Sequence, residues 1–342
     1  MTDSPLVSIL IPAHNVETWI GETMRSALAQ TWPNKEIVIV ESGSTDNTLQ
    51  IARQFESPMV KVVSQPNQGA SAARNTAFSL SKGDYIQWLD ADDLLAPDKI
   101  ARQMEVAASV SKRVVLSSEW GVFFYRSSKA RFTPTALWAD LSSHEWFLRR
   151  MMQNLHMQPA TWLVSRELTA SVGPWDTRLS LDDDGEYFCR VVRASEGIRF
   201  VPQARVFYRN PGPRRLSAID GSAKKLESQY LSVALQVGHC RAVDDSPRMR
   251  AACLAFLQTW LFCFSGVRDD LARQLEQLAS SLGGQLHIPQ VRKKYRWIQQ
   301  IAGKKLARRT QELLPRAKWA LVRYWDFTVW RSTKSRLQPD EC

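Results

Sequence analysis

Four runs of β-branched and aromatic residues, separated by stretches of helical period, occupy residues 7–90 and restrict the fold more tightly than anything else in the chain. VSILIPA (7–13), EIVIVE (36–41), MVKVVSQ (59–65) and DYIQWLD (84–90) read as strands. Between the first two, NVETWIGETMRSALAQ sets Val16, Ile20, Met24, Ala27 and Leu28 along one stripe. GSTDNTLQIARQF carries Leu49, Ala52 and Phe55 at the same period, and GASAARNTAFSL reads as a small-residue helix. Strand and helix alternating at this spacing predict an α/β fold, a parallel sheet with right-handed crossovers and helices on both faces. Ligands of such sheets bind beyond the carboxyl ends of the strands. The polar residues that close the runs, His14, Glu41 and Ser42, Asp90 and Asp92, are therefore expected on one rim.

Past Pro97 an amphipathic helix carries Ile100, Met104, Ala107 and Val110. VVLSSEW and GVFFYR read as two strands joined at Gly121, and RFVPQARVFYR as short strands. Beyond Gly221 the texture is almost entirely helical, and Ser246-Pro247 is a good helix start. The chain is thus divided into an α/β domain over 1–220 and a helical region over 221–342. The longest apolar stretch, AACLAFLQTWLFCF (251–264), is shorter than the ~20 residues that span a bilayer. The opening residues lack the basic, then apolar pattern of a signal peptide. Five scattered cysteines without a CxxC pair suit a reducing cytosol. The net charge of +11 is not spread evenly, because residues 285–342 hold 14 Lys+Arg against 4 Asp+Glu, a net of +10. The body is close to neutral and the tail is basic.

The strand GDYIQWLDADD breaks off into three carboxylates, Asp90, Asp92 and Asp93. At a sheet rim an Asp-x-Asp can hold a hard divalent cation, Mn2+ or Mg2+, which keeps water and substrate phosphates as its other ligands. An Asp-rich turn that merely caps the next helix is the competing reading. The order and spacing of VSILIPAHN, VIVESGSTDNT, QPNQGASAARN and GDYIQWLDADD decide between them, since together these blocks resemble the family 2 glycosyltransferases over roughly residues 5–210. That resemblance implies the GT-A type nucleotide-diphospho-sugar transferase fold, a Rossmann-like, mostly parallel sheet flanked by helices, here with a helical C-terminal extension.

The resemblance also assigns roles. Pro12, Ala13 and His14 would line the base and ribose of a nucleotide-diphospho-sugar donor, and Arg74 would reach its base or phosphates. Glu41 and Ser42 stand where the family commonly has two aspartates, so a UDP-sugar is only loosely favoured. Asp90, Ala91 and Asp92 would meet ribose and metal, with Asp92 the direct ligand and Asp90 beside it. In LSLDDDGEYFCRVV the family's base lies six residues before an arginine, which matches Asp184 before Arg190, with Asp183 as second candidate and Asp182 as a helix cap. An anion at a helix start is favoured by the amide dipoles, so Asp184 is expected to be ionised. Arg209, Arg214 and Arg215 in FYRNPGPRRLS would close over the donor phosphates. Trp162 and Trp175 are placed on the acceptor side, at least one of them being core. A single base and direct attack at the anomeric carbon imply an inverting hexosyltransferase-type enzyme, acting on a glycan or lipid-linked acceptor in bacterial cell-surface polysaccharide synthesis.

Interleaved basic and aromatic residues in VRKKYRW, GKKLARRT and RAKWALVRYWDFTVWRSTKSR suit an anionic membrane surface, which would put a cytoplasmic enzyme at the inner face of the membrane. A basic helix packed on the catalytic domain through its aromatics is the alternative. The pI of 9.6 also raises a nucleic-acid-binding protein, but the tail carries no recognised motif, and no nucleic acid is expected as partner. A nucleotidyltransferase would want a Gly-rich, basic loop after the first strand, and IPAHNVETW has neither glycine nor lysine.

Overall fold

The structure is a computed structural model and describes residues 4–210, 222–287, 297–298, 300–301 and 319–333. The predicted alternation is present: β1 (Val7–Ala13), α1 (Ile20–Leu28), β2 (Lys35–Ser42), α2 (Thr48–Arg53), β3 (Val60–Gln65), α3 (Ala70–Leu80) and β4 (Tyr85–Trp88) follow in order. β1 pairs in parallel with both β2 and β4, and β2 with β3, so their carboxyl ends share one rim.

Beyond β4 the chain continues through β5 (Leu94–Leu95), α4 (Lys99–Ala107), β6 (Val115–Phe123), β7 (Arg131–Phe132), α5 (Ser143–Gln153), β8 (Leu163–Ser165), α6 (Arg166–Ser171), α7 (Asp183–Ala194) and β9 (Ile198–Arg209). The nine strands of the described residues form one sheet in the order β3-β2-β1-β4-β8-β6-β9-β5, with β7 on β6. β8 runs antiparallel to both β4 and β6, so the sheet is parallel in its first half and mixed in its second. Two expectations are corrected. Gly121 does not separate strands but lies inside β6, where a Cβ would meet the Phe132 ring at 2.8 Å. RFVPQARVFYR is one long strand, with Gln203 at φ 66 absorbing the irregularity in its pairing with β6.

The helical half consists of α8 (Ala223–Val243), α9 (Pro247–Phe264), α10 (Asp269–Ser281) and a helix over residues 319–333, here α11. Ser246 caps α9 as predicted, its hydroxyl accepting from the Met249 amide. The first three of these helices do not build a core of their own. Val233, Val237, Phe256 and Leu257 belong to the same buried cluster as Trp146, Trp162 and Tyr187 of the sheet side. The boundary near 220 is a change of texture within shared packing. Among the described residues, no helix is long and apolar enough to cross a membrane.

Gly83, which opens the β4 segment, sits against β1, and a Cβ there would lie 2.5 Å from the Ser8 amide nitrogen and 2.9 Å from the Leu6 carbonyl. Backbone cannot yield as a side chain can, so Gly83→Ala is expected to destabilise the protein by about 2 kcal/mol. Chemical denaturation of the purified variant measures this, and an unchanged midpoint would contradict so close an approach.

Candidate active site

The rim is assembled by the turns that follow β1, β2 and β4. His14, directly after β1, lies 2.7 Å through Nδ1 from the Ser42 carbonyl at the end of β2. A proton on Nδ1 leaves Nε2 to accept from the Asn67 amide at 3.3 Å. Pro12 is half-buried and Ala13 buried beneath it. Glu41 is buried, and its carboxylate accepts from the Ser44 amide and, at 2.7 Å, from the Ser64 hydroxyl. Burial pushes its pKa up, but these hydrogen bonds outweigh burial and hold the group below its ordinary value. The Glu41 carboxylate thus shapes the turn after β2.

The Asp90–Asp93 turn is held from two sides. The Thr23 hydroxyl of α1 lies 2.9 Å from the carbonyls of both Ala91 and Asp93. Arg209 donates through Nε to the Asp92 carbonyl at 2.7 Å and through its amide to Asp93 Oδ1 at 2.8 Å. Its guanidinium also pairs with Glu22 at 2.6 Å and lies between the rings of Trp19 and Phe123. The sequence suggested that Arg209 meets donor phosphates. Instead it is buried and grips the acidic turn from behind, because a flat guanidinium enclosed by two aromatic faces and a carboxylate is fully partnered there. Arg214 and Arg215 lie outside the described residues.

The half-buried Asp92 carboxyl is pushed up to about 7 by burial and by the Asp90 carboxylate, against the opposing pull of Arg209. Asp93, fully buried with an Oδ2 that has no hydrogen-bond partner among the described residues, is raised well above the usual range by burial and by the Asp92 and Asp90 carboxylates, with Arg209 opposing.

Arg74 of α3 joins this turn to the other half of the molecule. It donates through one terminal nitrogen to Asp90 at 2.8 Å and through the other to Asp183 at 2.6 Å, and it lies 4.3 Å over the Trp175 ring. The two carboxylates hold its pKa above the ordinary arginine value despite burial. Asp183 is further occupied by the Ser71 hydroxyl at 2.9 Å and the Asp184 amide at 3.1 Å. Asp182 turns away from the rim: it adopts φ 57 before α7, and its carboxylate accepts from Gln229, Ser232 and Gln236 of α8. Three adjacent aspartates therefore have three roles: a tether to α8, a partner for Arg74, and Asp184.

No hydrogen bond to the Asp184 carboxyl arises from the described residues. Burial first, then the carboxylates of Asp182 and Asp183, raise it to about 7, with Arg74 opposing. Desolvation and like charges thus set the group above the position expected of a carboxylate at the start of α7. Trp162 and Trp175 are both core. Trp175 stacks on Tyr187 at 3.9 Å and Trp162 on Phe188 at 5.2 Å, which leaves neither ring for a sugar.

Several residues of the site went unread in the sequence. Thr23 carried a signal, a polar side chain close to the apolar stripe of α1. Glu22, Ser71 and Asn67 carried none, because their partners lie 187, 112 and 53 positions away.

The mixed sheet flanked by helices matches the fold of solved glycosyltransferase structures of the GT-A type. Against the solved structure of S. aureus TarS 1-349 in complex with UDP-GlcNAc the TM-score is 0.64 at 18% identity, over 81% of each chain. Residues 8–169 match the family described as Glycosyl transferase family 2. An uncharacterized glycosyltransferase of Bacillus subtilis, EpsJ, is 28% identical over 239 residues, 66% of this chain and 68% of that one. The chondroitin synthase of Pasteurella multocida is 46% identical over 98 residues, 28% of this chain and only 10% of its own length.

Proposed function

We propose that the protein is a metal-dependent, inverting glycosyltransferase that moves a sugar from a nucleotide diphosphate, with UDP loosely favoured, to a hydroxyl of a glycan or glycolipid acceptor. Bacterial cell-surface polysaccharide synthesis is the setting this suggests, and the basic, aromatic tail suits a cytoplasmic enzyme at the inner face of the membrane. The observation that carries the reading is Arg74 bridging Asp90 to Asp183 at 2.8 and 2.6 Å, which brings the acidic rim and the start of α7 to one guanidinium.

In this reading His14, Pro12, Ala13 and the Ser42 turn receive the nucleoside, and Arg74, kept between Asp90 and Asp183, lends its positive charge to the diphosphate side. Asp184, whose carboxyl is free of hydrogen bonds from the described residues, takes the proton of the acceptor hydroxyl. The acceptor oxygen then bonds to the anomeric carbon from the face opposite the leaving group. The carbon–oxygen bond to the diphosphate breaks with its electron pair going to the nucleotide, and the configuration inverts through an oxocarbenium-like transition state. Asp183, occupied by Arg74 and Ser71, orients rather than accepts.

Among the described residues no three His, Cys, Asp or Glu side chains are grouped to hold a metal. The pair at the turn nevertheless fits a hard cation. Asp90 and Asp92 offer oxygen donors only, and a cation there would favour the ionised form of the Asp92 carboxyl, which burial first and the Asp90 carboxylate second disfavour. Mn2+ or Mg2+ held there by Asp92 and Asp90 would supply charge neutralisation for the departing diphosphate.

The test is a thermal-shift screen of nucleotide diphosphates and their sugars with and without manganese. One donor is expected to stabilise the protein specifically, and more with the cation present. Asp92→Ala is expected to lose the cation-dependent part of that shift and to drop metal-dependent transfer below detection. A shift that survives unchanged in this variant would remove Asp92 from the metal site.

A further inference from the structure

The large hydrophobic side chains left in solvent are concentrated in one part of the molecule. Of eleven among the described residues, seven lie between Trp297 and Trp325. On α11 the three most exposed share one side, with Leu321 73%, Tyr324 71% and Trp325 68% exposed, at the i, i+3, i+4 spacing of a single helical face.

The opposite side of α11 is fixed to the protein. Asp326 is buried and accepts from the Tyr125 and Arg126 amides at 2.9 and 3.3 Å and from Arg126 Nε at 2.6 Å. Trp330 packs at a tilt against Tyr125 and Trp19 at 5.4 and 5.8 Å, and Phe327 against Tyr125 at 5.0 Å. Beside the exposed face, Tyr125, Leu321, Tyr324 and Phe327, with Arg323 among them, line a largely apolar groove of about 580 Å³. The packed tail helix that the sequence offered as an alternative to a membrane-binding one is therefore present, yet none of the described residues covers its second face.

We propose that this second face is the docking surface for an anionic lipid bilayer, with Leu321, Tyr324 and Trp325 in the headgroup layer and the Asp326 side holding the catalytic body against it. Charge and chemistry both select that occupant. Residues 285–342 carry a net of +10, and one of their four acids, Asp326, is spent on Arg126. Tryptophan and tyrosine beside aliphatic residues on a basic segment match the interface of a negatively charged membrane. A second copy of the chain would bring a second basic tail against the first. A nucleic acid would use the rings and cations but has no use for Leu321 or an apolar groove. The proposal concerns a surface separate from the transfer site and does not depend on the chemistry assigned there.

The test is co-sedimentation of the full chain with large unilamellar vesicles of phosphatidylglycerol and phosphatidylcholine, or of phosphatidylcholine alone. The protein is expected to sediment with the anionic vesicles and to be released in part by salt. The triple variant Leu321→Ala, Tyr324→Ala, Trp325→Ala is expected to partition at least about tenfold more weakly. Because all three side chains are exposed, its melting temperature should stay that of the parent. Parent protein that stays in the supernatant with anionic vesicles, or a variant that partitions like the parent, overturns the proposal. So does a variant that keeps its vesicle binding but falls from dimer to monomer in light scattering, since that result gives the face to a second copy.

Discussion

Replacing Asp184 by asparagine is expected to lower turnover by about a thousandfold or more, the range for removal of a general base, while nucleotide-sugar binding stays within a few-fold of the parent. The substitution keeps the shape of the side chain, and no hydrogen bond from the described residues reaches the carboxyl it replaces, so the fold loses nothing it uses. The same residue fixes a pH dependence. A carboxyl at about 7 is mostly protonated below that pH and cannot take a proton. Hence kcat/KM should fall roughly tenfold per pH unit on the acid side of about 7, since this parameter reports the free enzyme's groups. Isothermal titration of the donor and initial rates across pH separate the two claims. Transfer at parental rates in Asp184→Asn would move the base elsewhere.

Arg74→Met is the second large effect. Arg74 is buried between Asp90 and Asp183, and removing it strands two carboxylates in a confined space. Breaking a buried pair in this way costs about 3 kcal/mol or more, which denaturant unfolding would detect directly. A second signature distinguishes the electrostatic effect from lost packing. Arg74 lowers the pKa of Asp184, so its removal must move the acid limb of kcat/KM to higher pH. Adding Asp183→Asn to Arg74→Met should restore part of the stability, because one stranded charge is gone. A limb that does not move would show that Arg74 and Asp184 are not coupled.

The elements that could be read from the sequence are those whose signals are local. β1 to β4 were legible because a β-branched run needs no distant partner to be recognised, and the rim followed from parallel order alone. Asp90, Asp92 and Asp184 are singled out by resemblance to ordered motifs, and the structure sets the first two in the turn after β4 and the third in the first turn of α7. The link that unites them was not legible, since Arg74 and Asp183 are 109 positions apart and nothing in AARN names its partners. β8 was missed for a similar reason: three residues inserted antiparallel between β4 and β6 leave too short a pattern. Gly121 misled because glycine is a turn signal, whereas here it makes room for the Phe132 ring. The separate fates of Asp182, Asp183 and Asp184 depend on how α7 is rotated against α8, which local composition does not record.

The shared packing of α7 with α8 and α9 has an evolutionary consequence. Tyr187 and Phe188 press into the same cluster as Val233 and Phe256, while Asp184 rides on the first turn of the same helix, close to the rim. A replacement on the concealed side of the distal half can therefore tilt that helix by a fraction of an ångström and re-aim the carboxylate. Acceptor preference in lineages built this way can drift through residues that never meet a sugar.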